Sequence, residues 1–184
     1  TTEIYTLSLH DALPILDAGF PPIIEGAPRA LILGSMPGVQ SLAKQQYYAH
    51  PRNTFWPIMA SLFNFDVNLT YEDRCDLLTQ SGVAVWDVLR ACHRPGSLDT
   101  NIDNATMVLN DFKALFQQYS SISAIYFNGA KAEAVFRQAL PLLTEVQRSS
   151  FTLQRLPSTS PAHASQSFEQ KLACWKAAFI PIVA

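Results

Sequence analysis

The sequence predicts an α/β fold, a single domain of three layers in which helices cover both faces of a central four-stranded, mostly parallel sheet. Short apolar runs alternate along the chain with segments that carry apolar residues at helical spacing, a pattern typical of a parallel sheet between helices. The chain has 184 residues and 48% of them are hydrophobic. This size and composition suit one domain with a substantial core.

The four strands are predicted from runs bounded by turn-forming or polar residues, at 30–33, 83–86, 124–127 and 152–156. Helical spacing of apolar residues predicts helices at 54–62, 71–80, 110–119, 130–140 and 168–180. Pro141 and Pro181 are expected to end the last two helices, because proline lacks the backbone N–H that a helix needs.

The residues after the first strand predict a ligand-binding loop. Gly34, Ser35, Met36, Pro37 and Gly38 follow that strand at what should be the carboxyl edge of the sheet. Loops at this edge commonly bind ligands. Glycine allows the backbone to approach a ligand closely, and proline fixes the turn.

Two polar residues end the second and third predicted strands and should lie at the same edge. They are Asp87 and Asn128, and each is expected either to contact a ligand or to cap the helix that follows. The segment 94–110 is the longest without periodicity. It is either a functional loop or a solvated excursion on the surface.

The charge of the chain does not by itself indicate a nucleic-acid-binding protein. The formal net charge is −2, whereas sequence-independent affinity for DNA needs a positive face. Six basic residues nevertheless fall in or beside the predicted site loops: Lys44, Arg52, Arg90, Arg94, Lys131 and Arg155. The sequence alone does not show whether basic and acidic side chains lie on different faces of the protein.

Three widely spaced cysteines, Cys75, Cys92 and Cys174, predict neither a disulfide framework nor a metal site. We therefore expect no cofactor, no metal and a reducing cytoplasm. No apolar run reaches the roughly 18 residues that span a bilayer, so a soluble protein without a membrane partner is expected. The chain is expected to be a monomer.

The first 15 residues are expected to be a non-native tail. They lack an initiator Met and a basic segment, and Asp11 interrupts their apolar part, which argues against a signal peptide. The string is similar to translated sequencing-adapter tails. The domain is therefore assigned to residues 20–184.

The stretch from Gly34 to Trp56, GSMPGVQSLAKQQYYAHPRNTFW, resembles the uracil-DNA glycosylase superfamily. In its mismatch-specific uracil and thymine branch the pattern is Gly-Ile-Asn-Pro-Gly, an aromatic residue, then Pro-x-Asn-x-Phe-Trp. The segment LPSTSPAHA is similar to the superfamily's Pro-Ser loop. The segments AVWDVL, GSLDTNI and FNGAKA extend this similarity. Together these motifs make nearly all of residues 20–184 similar to the hypoxanthine (deoxyinosine) DNA glycosylase family.

The resemblance implies a uracil-DNA glycosylase-like fold and a monofunctional DNA glycosylase of base excision repair. Such an enzyme hydrolyses the N-glycosidic bond of a deaminated base, here expected to be hypoxanthine, in double-stranded DNA. A uracil or mismatch-specific glycosylase and a non-catalytic module that binds damaged bases remain alternatives. An ester or amide hydrolase using Ser160 and His163 is disfavoured, because the nucleophile elbow G-x-S-x-G is missing.

Met36 is a departure from the superfamily pattern, which places a water-positioning Asn or Asp there. A thioether cannot orient or activate water as an amide or carboxylate can. We expect Asn53 to supply the missing polar group. A helix cap at Thr54 rather than at Asn53 would place Pro57 where its missing N–H is harmless and would leave the Asn53 amide for the site.

Tyr48 lies at the position of the aromatic ring that the related branch stacks against the extruded base, and two adjacent tyrosines in a loop are difficult to bury together. His50 and His163 are candidates to bind a phosphate, orient water or protonate the leaving base. Their alternative is an ordinary role within a loop. Asp87 and Asn128 are candidates to read the base, together with the loop 34–38.

The Pro-Ser loop is expected to contact DNA. Ser158, Thr159 and Ser160 offer backbone N–H and hydroxyl groups to a phosphate, with turn formation as the alternative role. Arg52 is also predicted to contact DNA. The same loop is the expected donor of a residue that fills the gap in the duplex.

Overall fold

A computed structural model describes residues 16–183. The predicted non-native tail, residues 1–15, lies outside this range. The described part has seven strands: β1 (Asp17–Ala18), β2 (Ala30–Gly34), β3 (Val83–Asp87), β4 (Leu89–Cys92), β5 (Val108–Leu109), β6 (Ala124–Asn128) and β7 (Thr152–Leu156). It also has seven α-helices: α1 (Val39–Lys44), α2 (Phe55–Phe63), α3 (Tyr71–Gln80), α4 (Phe112–Gln118), α5 (Ala130–Ala139), α6 (Glu145–Ser150) and α7 (Phe168–Val183).

The central sheet has the order β3-β2-β6-β7, and every neighbouring pair is parallel. The prediction of a four-stranded parallel sheet is therefore confirmed. Three strands extend one residue beyond their predicted ends, so that Gly34, Asp87 and Asn128 close β2, β3 and β6. In the register of the sheet, Gly34 lies directly opposite Asp87.

Helices cover both faces of this sheet, which confirms the three-layer prediction. Side chains from α4 and α5 pack on one face, for example Phe136 against Phe127 with ring centroids 5.3 Å apart. Helices α2, α3 and α7 pack on the other face, where Phe55 and Trp175 belong to the same core cluster as Ile32. The alternation along β2 explains this, since Leu31 and Leu33 face the first layer while Ala30 and Ile32 face the second.

A second, smaller sheet was not predicted. Its strands β1, β4 and β5 are antiparallel, with β4 in the middle. Two of the three have two residues each, too few to show a period in the sequence. The segment 94–110, which has no periodicity, folds as two 3₁₀ turns, Asp99–Asn101 and Asn104–Thr106, followed by β5.

The five predicted helices are present with bounds within two residues of the prediction except at the end of α7, whereas the six-residue helices α1 and α6 were not predicted. Thr54 is the N-cap of α2, so Pro57 occupies the predicted harmless position in the first turn. The expectation that Pro181 ends α7 is wrong, because the helix continues to Val183. A proline so close to the end of a helix removes only one of its backbone hydrogen bonds. No helix within residues 16–183 has the length and apolar character to cross a membrane.

Candidate active site

A cavity of about 610 Å³ opens at the carboxyl edge of the central sheet. It lies among the loops that follow β2, β3, β6 and β7, as expected for a ligand site of an open α/β sheet. All of the predicted site residues line it except Arg52, which is exposed on the adjacent turn. Its volume falls within the range of about 300–1,000 Å³ that small-molecule sites occupy.

The floor of the cavity is formed where β2 meets β3. A Cβ atom on Gly34 would lie 2.3 Å from Oδ1 of Asp87 and 3.2 Å from the hydroxyl oxygen of Tyr48. Only glycine therefore leaves room for the two side chains at this point. Oδ2 of Asp87 and the hydroxyl of Tyr48 are both buried, and neither has a hydrogen-bond partner among the described residues.

The environment of Asp87 favours its neutral form. The residue is 3% exposed. Burial raises the pKa of its carboxyl to about 7, the guanidinium of Arg94 opposes the rise, and the carboxylate of Asp99 adds to it. Asp87 is thus a carboxylic acid that exchanges its proton near neutral pH at the base of a cavity.

Arg94 fixes the loop 34–38 from behind. Its buried guanidinium donates to the carbonyl oxygen of Met36 at 3.2 Å and also to the carbonyl oxygen of Pro37. Its Nε has no hydrogen-bond partner within residues 16–183. Because both bonds go to backbone atoms, this buried cation positions the loop and lends positive charge to the site.

Met36 and Asn53 differ in what they offer to a ligand. The Met36 side chain is buried and belongs to the core cluster of α4 and α5. Asn53 follows a turn closed by its own N–H, which donates to the carbonyl of His50 at 2.8 Å. Its Oδ1 accepts from the N–H of Phe55 at 3.0 Å, so the amide is oriented by α2 although Thr54 is the cap. Within the described part of the chain, a second lone pair of Oδ1 and both N–H groups remain available.

The two adjacent tyrosines have different environments. Tyr48 has φ +57, in the left-handed region, and its ring is tilted by 43° from that of Tyr47 with centroids 6.1 Å apart. Tyr47 is buried, and its hydroxyl donates to the carbonyl of Pro21 at 3.2 Å. The Tyr48 ring lines the cavity and stacks on Phe55 with ring centroids 3.9 Å apart. Burial raises the pKa of Tyr48, so its hydroxyl stays protonated.

Asn128 ties the Pro-Ser loop to the end of β6. Its Nδ2 donates to Oγ1 of Thr159, and its Oδ1 accepts from the N–H of Thr159, both at 2.8 Å. Thr159 is fully buried and its N–H is taken by Asn128, so it is withheld from a DNA phosphate. Asn128 does not cap the helix that follows, and Asp87 precedes a strand, so the capping alternative is wrong for both.

The remaining predicted residues lie in turns at the rim of the cavity. Nδ1 of His50 accepts from the N–H of Arg52 at 3.1 Å. Oγ of Ser158 accepts from the N–H of Ser160 at 3.2 Å, and Nε2 of His163 lies 3.4 Å from the hydroxyl of Ser165.

Sequence reasoning offered the segment after β4 as a functional loop, one of two interpretations, but named none of its residues as site residues. Ser97, Leu98, Asp99 and Thr100 line the cavity, and Oγ of Ser35 donates to Oδ1 of Asp99 at 2.6 Å. The length of this segment was the available signal, but it did not single out residues. Lys131 at the start of α5 also lines the cavity, where its Nζ donates to Oδ1 of Asn104 at 2.9 Å.

The described residues 16–183 contain no group of three or more His, Cys, Asp or Glu side chains that could hold a metal ion. The polar groups that line the cavity are the carboxyls of Asp87 and Asp99, the ammonium of Lys131, amides, hydroxyls and imidazoles. Such groups can donate and accept hydrogen bonds around a planar, uncharged ligand and can position a water molecule.

Fold and cavity together define an α/β protein with a ligand site at the carboxyl edge of a parallel sheet. The sequence model of the Uracil DNA glycosylase superfamily matches residues 21–182. The chain belongs to this superfamily.

Two curated relatives come from Methanosarcina, and both are named hypoxanthine DNA glycosylase. The one from Methanosarcina acetivorans is 32% identical over 166 residues, which cover 90% of this chain and 99% of the relative. The one from Methanosarcina barkeri is 37% identical over 115 residues, 62% of this chain and 72% of the relative. A solution NMR structure of a candidate uracil DNA glycosylase from Methanosarcina acetivorans has 30% identity and a TM-score of 0.75, covering 92% of this chain and all of that one.

Proposed function

We propose that this protein is a monofunctional DNA glycosylase that removes hypoxanthine from deoxyinosine in double-stranded DNA, as part of base excision repair. The names of its two relatives support this substrate. The observation that carries the proposal is the convergence of Asn53, Asp87 and Tyr48 on one cavity at the sheet edge. We further propose a monomer that acts in a reducing cytoplasm, where the three free cysteines stay unpaired.

The side chains at the floor of the cavity recognise the base. The protonated carboxyl of Asp87 and the hydroxyl of Tyr48 are buried donors without partners among residues 16–183. In hypoxanthine, N3, N7 and O6 are acceptors and N1–H is a donor. A donor that meets the base also stabilises the negative charge that develops as the glycosidic bond breaks. The exposed part of the Tyr48 ring offers a surface on which the extruded base can stack.

Asn53 positions the attacking water. Its Oδ1 is held by the N–H of Phe55 and retains one lone pair, which can accept a hydrogen bond from water aimed at C1′ of the sugar. Water adds to C1′, the glycosidic electron pair leaves with the base, and one proton of the water passes to the base or to solvent. His50 and His163 on the rim are candidates to relay this proton.

DNA phosphates meet the rim of the cavity. The hydroxyls of Ser158 and Ser160 each accept an N–H within their turn and keep their own proton to donate. Arg52 is exposed beside this rim and adds a positive charge. We assign the phosphate contact to these three residues rather than to Thr159.

The test is excision from duplexes that carry one deoxyinosine or one deoxyuridine, followed by alkali and sizing of the strands. Cleavage at deoxyinosine is expected. Asn53→Ala should slow it by about 100-fold or more, because a positioned catalytic group contributes at least that factor. Asn68→Ala, in an exposed loop, is the matched control and should cleave at the normal rate.

Other results of this excision experiment would indicate a different function. Cleavage only at deoxyuridine would replace hypoxanthine by uracil as the substrate. Binding of both duplexes without cleavage would indicate a non-catalytic module. A protein–DNA adduct trapped by borohydride would show an amine nucleophile, with Lys131 as the first residue to test, and would overturn the monofunctional assignment.

A further inference from the structure

An exposed leucine stands at the rim of the cavity. Leu98 is 50% exposed. It is the one large apolar side chain among the exposed ones of residues 16–183 that also lines the cavity. A single exposed leucine on a protein surface needs no explanation by itself. Leu98 differs because it lies at the rim of the cavity and on a turn that hydrogen bonds hold in place.

The turn that carries Leu98 is held on both sides. Its neighbour Ser97 accepts the N–H of Val39 on Oγ at 3.0 Å, and its neighbour Asp99 accepts the Ser35 hydroxyl at 2.6 Å. The carbonyl of Leu98 itself accepts the N–H of Asn101 at 3.0 Å. The leucine is therefore presented on a turn anchored to the same loop that forms one wall of the cavity.

The Pro-Ser loop offers no comparable side chain to the cavity. Residues 158–163 are Ser, Thr, Ser, Pro, Ala and His, so the Pro-Ser loop brings hydroxyls and small groups to the cavity but no large aliphatic one. A nucleotide that leaves the stack opens a gap, and proteins that hold a duplex open commonly insert Leu, Ile, Met or Phe into it.

We propose that Leu98 enters the duplex in place of the extruded nucleotide and keeps the gap open while the base occupies the cavity. This proposal rests on the proposed glycosylase function. It replaces the Pro-Ser loop as the donor of the wedge, and leaves that loop to bind phosphate. Because a single strand has no stacked partner to replace, the wedge should matter only for double-stranded substrate.

The experiment compares single-turnover excision of hypoxanthine from the same strand in duplex and in single-stranded form. Leu98→Ala should slow excision from the duplex on the order of tenfold, since unstacking costs a few kcal/mol, and leave the single strand within about twofold of the wild type. Leu98→Met keeps a long apolar side chain and should retain the duplex rate. Leu142→Ala is the matched control, exposed at the opposite end of α5 from the cavity.

A fluorescent base analogue next to deoxyinosine gives an independent readout. Binding of the wild type should raise its fluorescence as the stack opens, and Leu98→Ala should raise it less. A duplex rate for Leu98→Ala equal to that of the wild type, or equal losses on both substrates, would overturn the wedge and leave the glycosylase proposal intact. If the wild type releases no base from either substrate, both proposals fall.

Discussion

The carboxyl of Asp87 occupies the space that a Cβ atom on Gly34 would fill. The two residues are opposite one another at the ends of neighbouring parallel strands, and the missing side chain of one allows the other to turn into the cavity. The residue at position 34 therefore determines whether the carboxyl at the end of β3 can reach the cavity. It also explains why a glycine is needed here although its backbone is that of an ordinary strand.

Gly34→Ala is expected to destabilise the protein by about 1–3 kcal/mol, because it forces a methyl group into filled space. The new Cβ would lie 2.3 Å from Oδ1 of Asp87. Urea unfolding of four proteins measures the effect: wild type, Gly34→Ala, Asp87→Ala and the double variant. In the Asp87→Ala background the alanine should cost much less. Equal costs in both backgrounds would show that Asp87 is not the obstacle.

Stability should depend on pH through Asp87. The ordinary pKa of the carboxyl is 3.8, and burial raises it to about 7 in the folded protein. The folded state then holds a proton that the unfolded chain has already lost. Between about pH 4 and pH 7 the free energy of unfolding should therefore fall as pH rises, by a few kcal/mol in all from this group.

Asp87→Asn removes this ionisation and should remove most of the fall. Urea unfolding at pH 5, 6, 7 and 8 compares the variant with the wild type and with Asp76→Asn, an exposed control on α3. The control should follow the wild type. If Asp87→Asn does so as well, another group is responsible for the pH dependence.

Much of the site could be predicted because its residues end predictable strands. Gly34, Asp87 and Asn128 each follow an apolar run, and parallel strands bring their carboxyl ends to one edge. The helix cap at Thr54 was also predictable, since the position of Pro57 restricts where the helix can begin.

The partners of these residues could not be predicted, because they come from distant parts of the chain. Nothing local indicates that Asn128 holds Thr159, or that Arg94 donates to the carbonyls behind Met36. A buried cation bound to backbone oxygens leaves no sequence pattern, whereas an ion pair would require a matching acid. The sequence likewise gives no sign of the left-handed backbone conformation of Tyr48.

Arg94→Met should destabilise the protein by about 2–4 kcal/mol, because it leaves two loop carbonyls without their donor. Urea unfolding measures this loss. The control is Arg90→Met, which changes an exposed arginine of β4 and should have little effect. Arg94→Lys keeps the charge but cannot reach both carbonyls with a planar fork, so it should recover only part of the stability. Full stability in Arg94→Met would mean that the loop 34–38 holds its shape without the guanidinium.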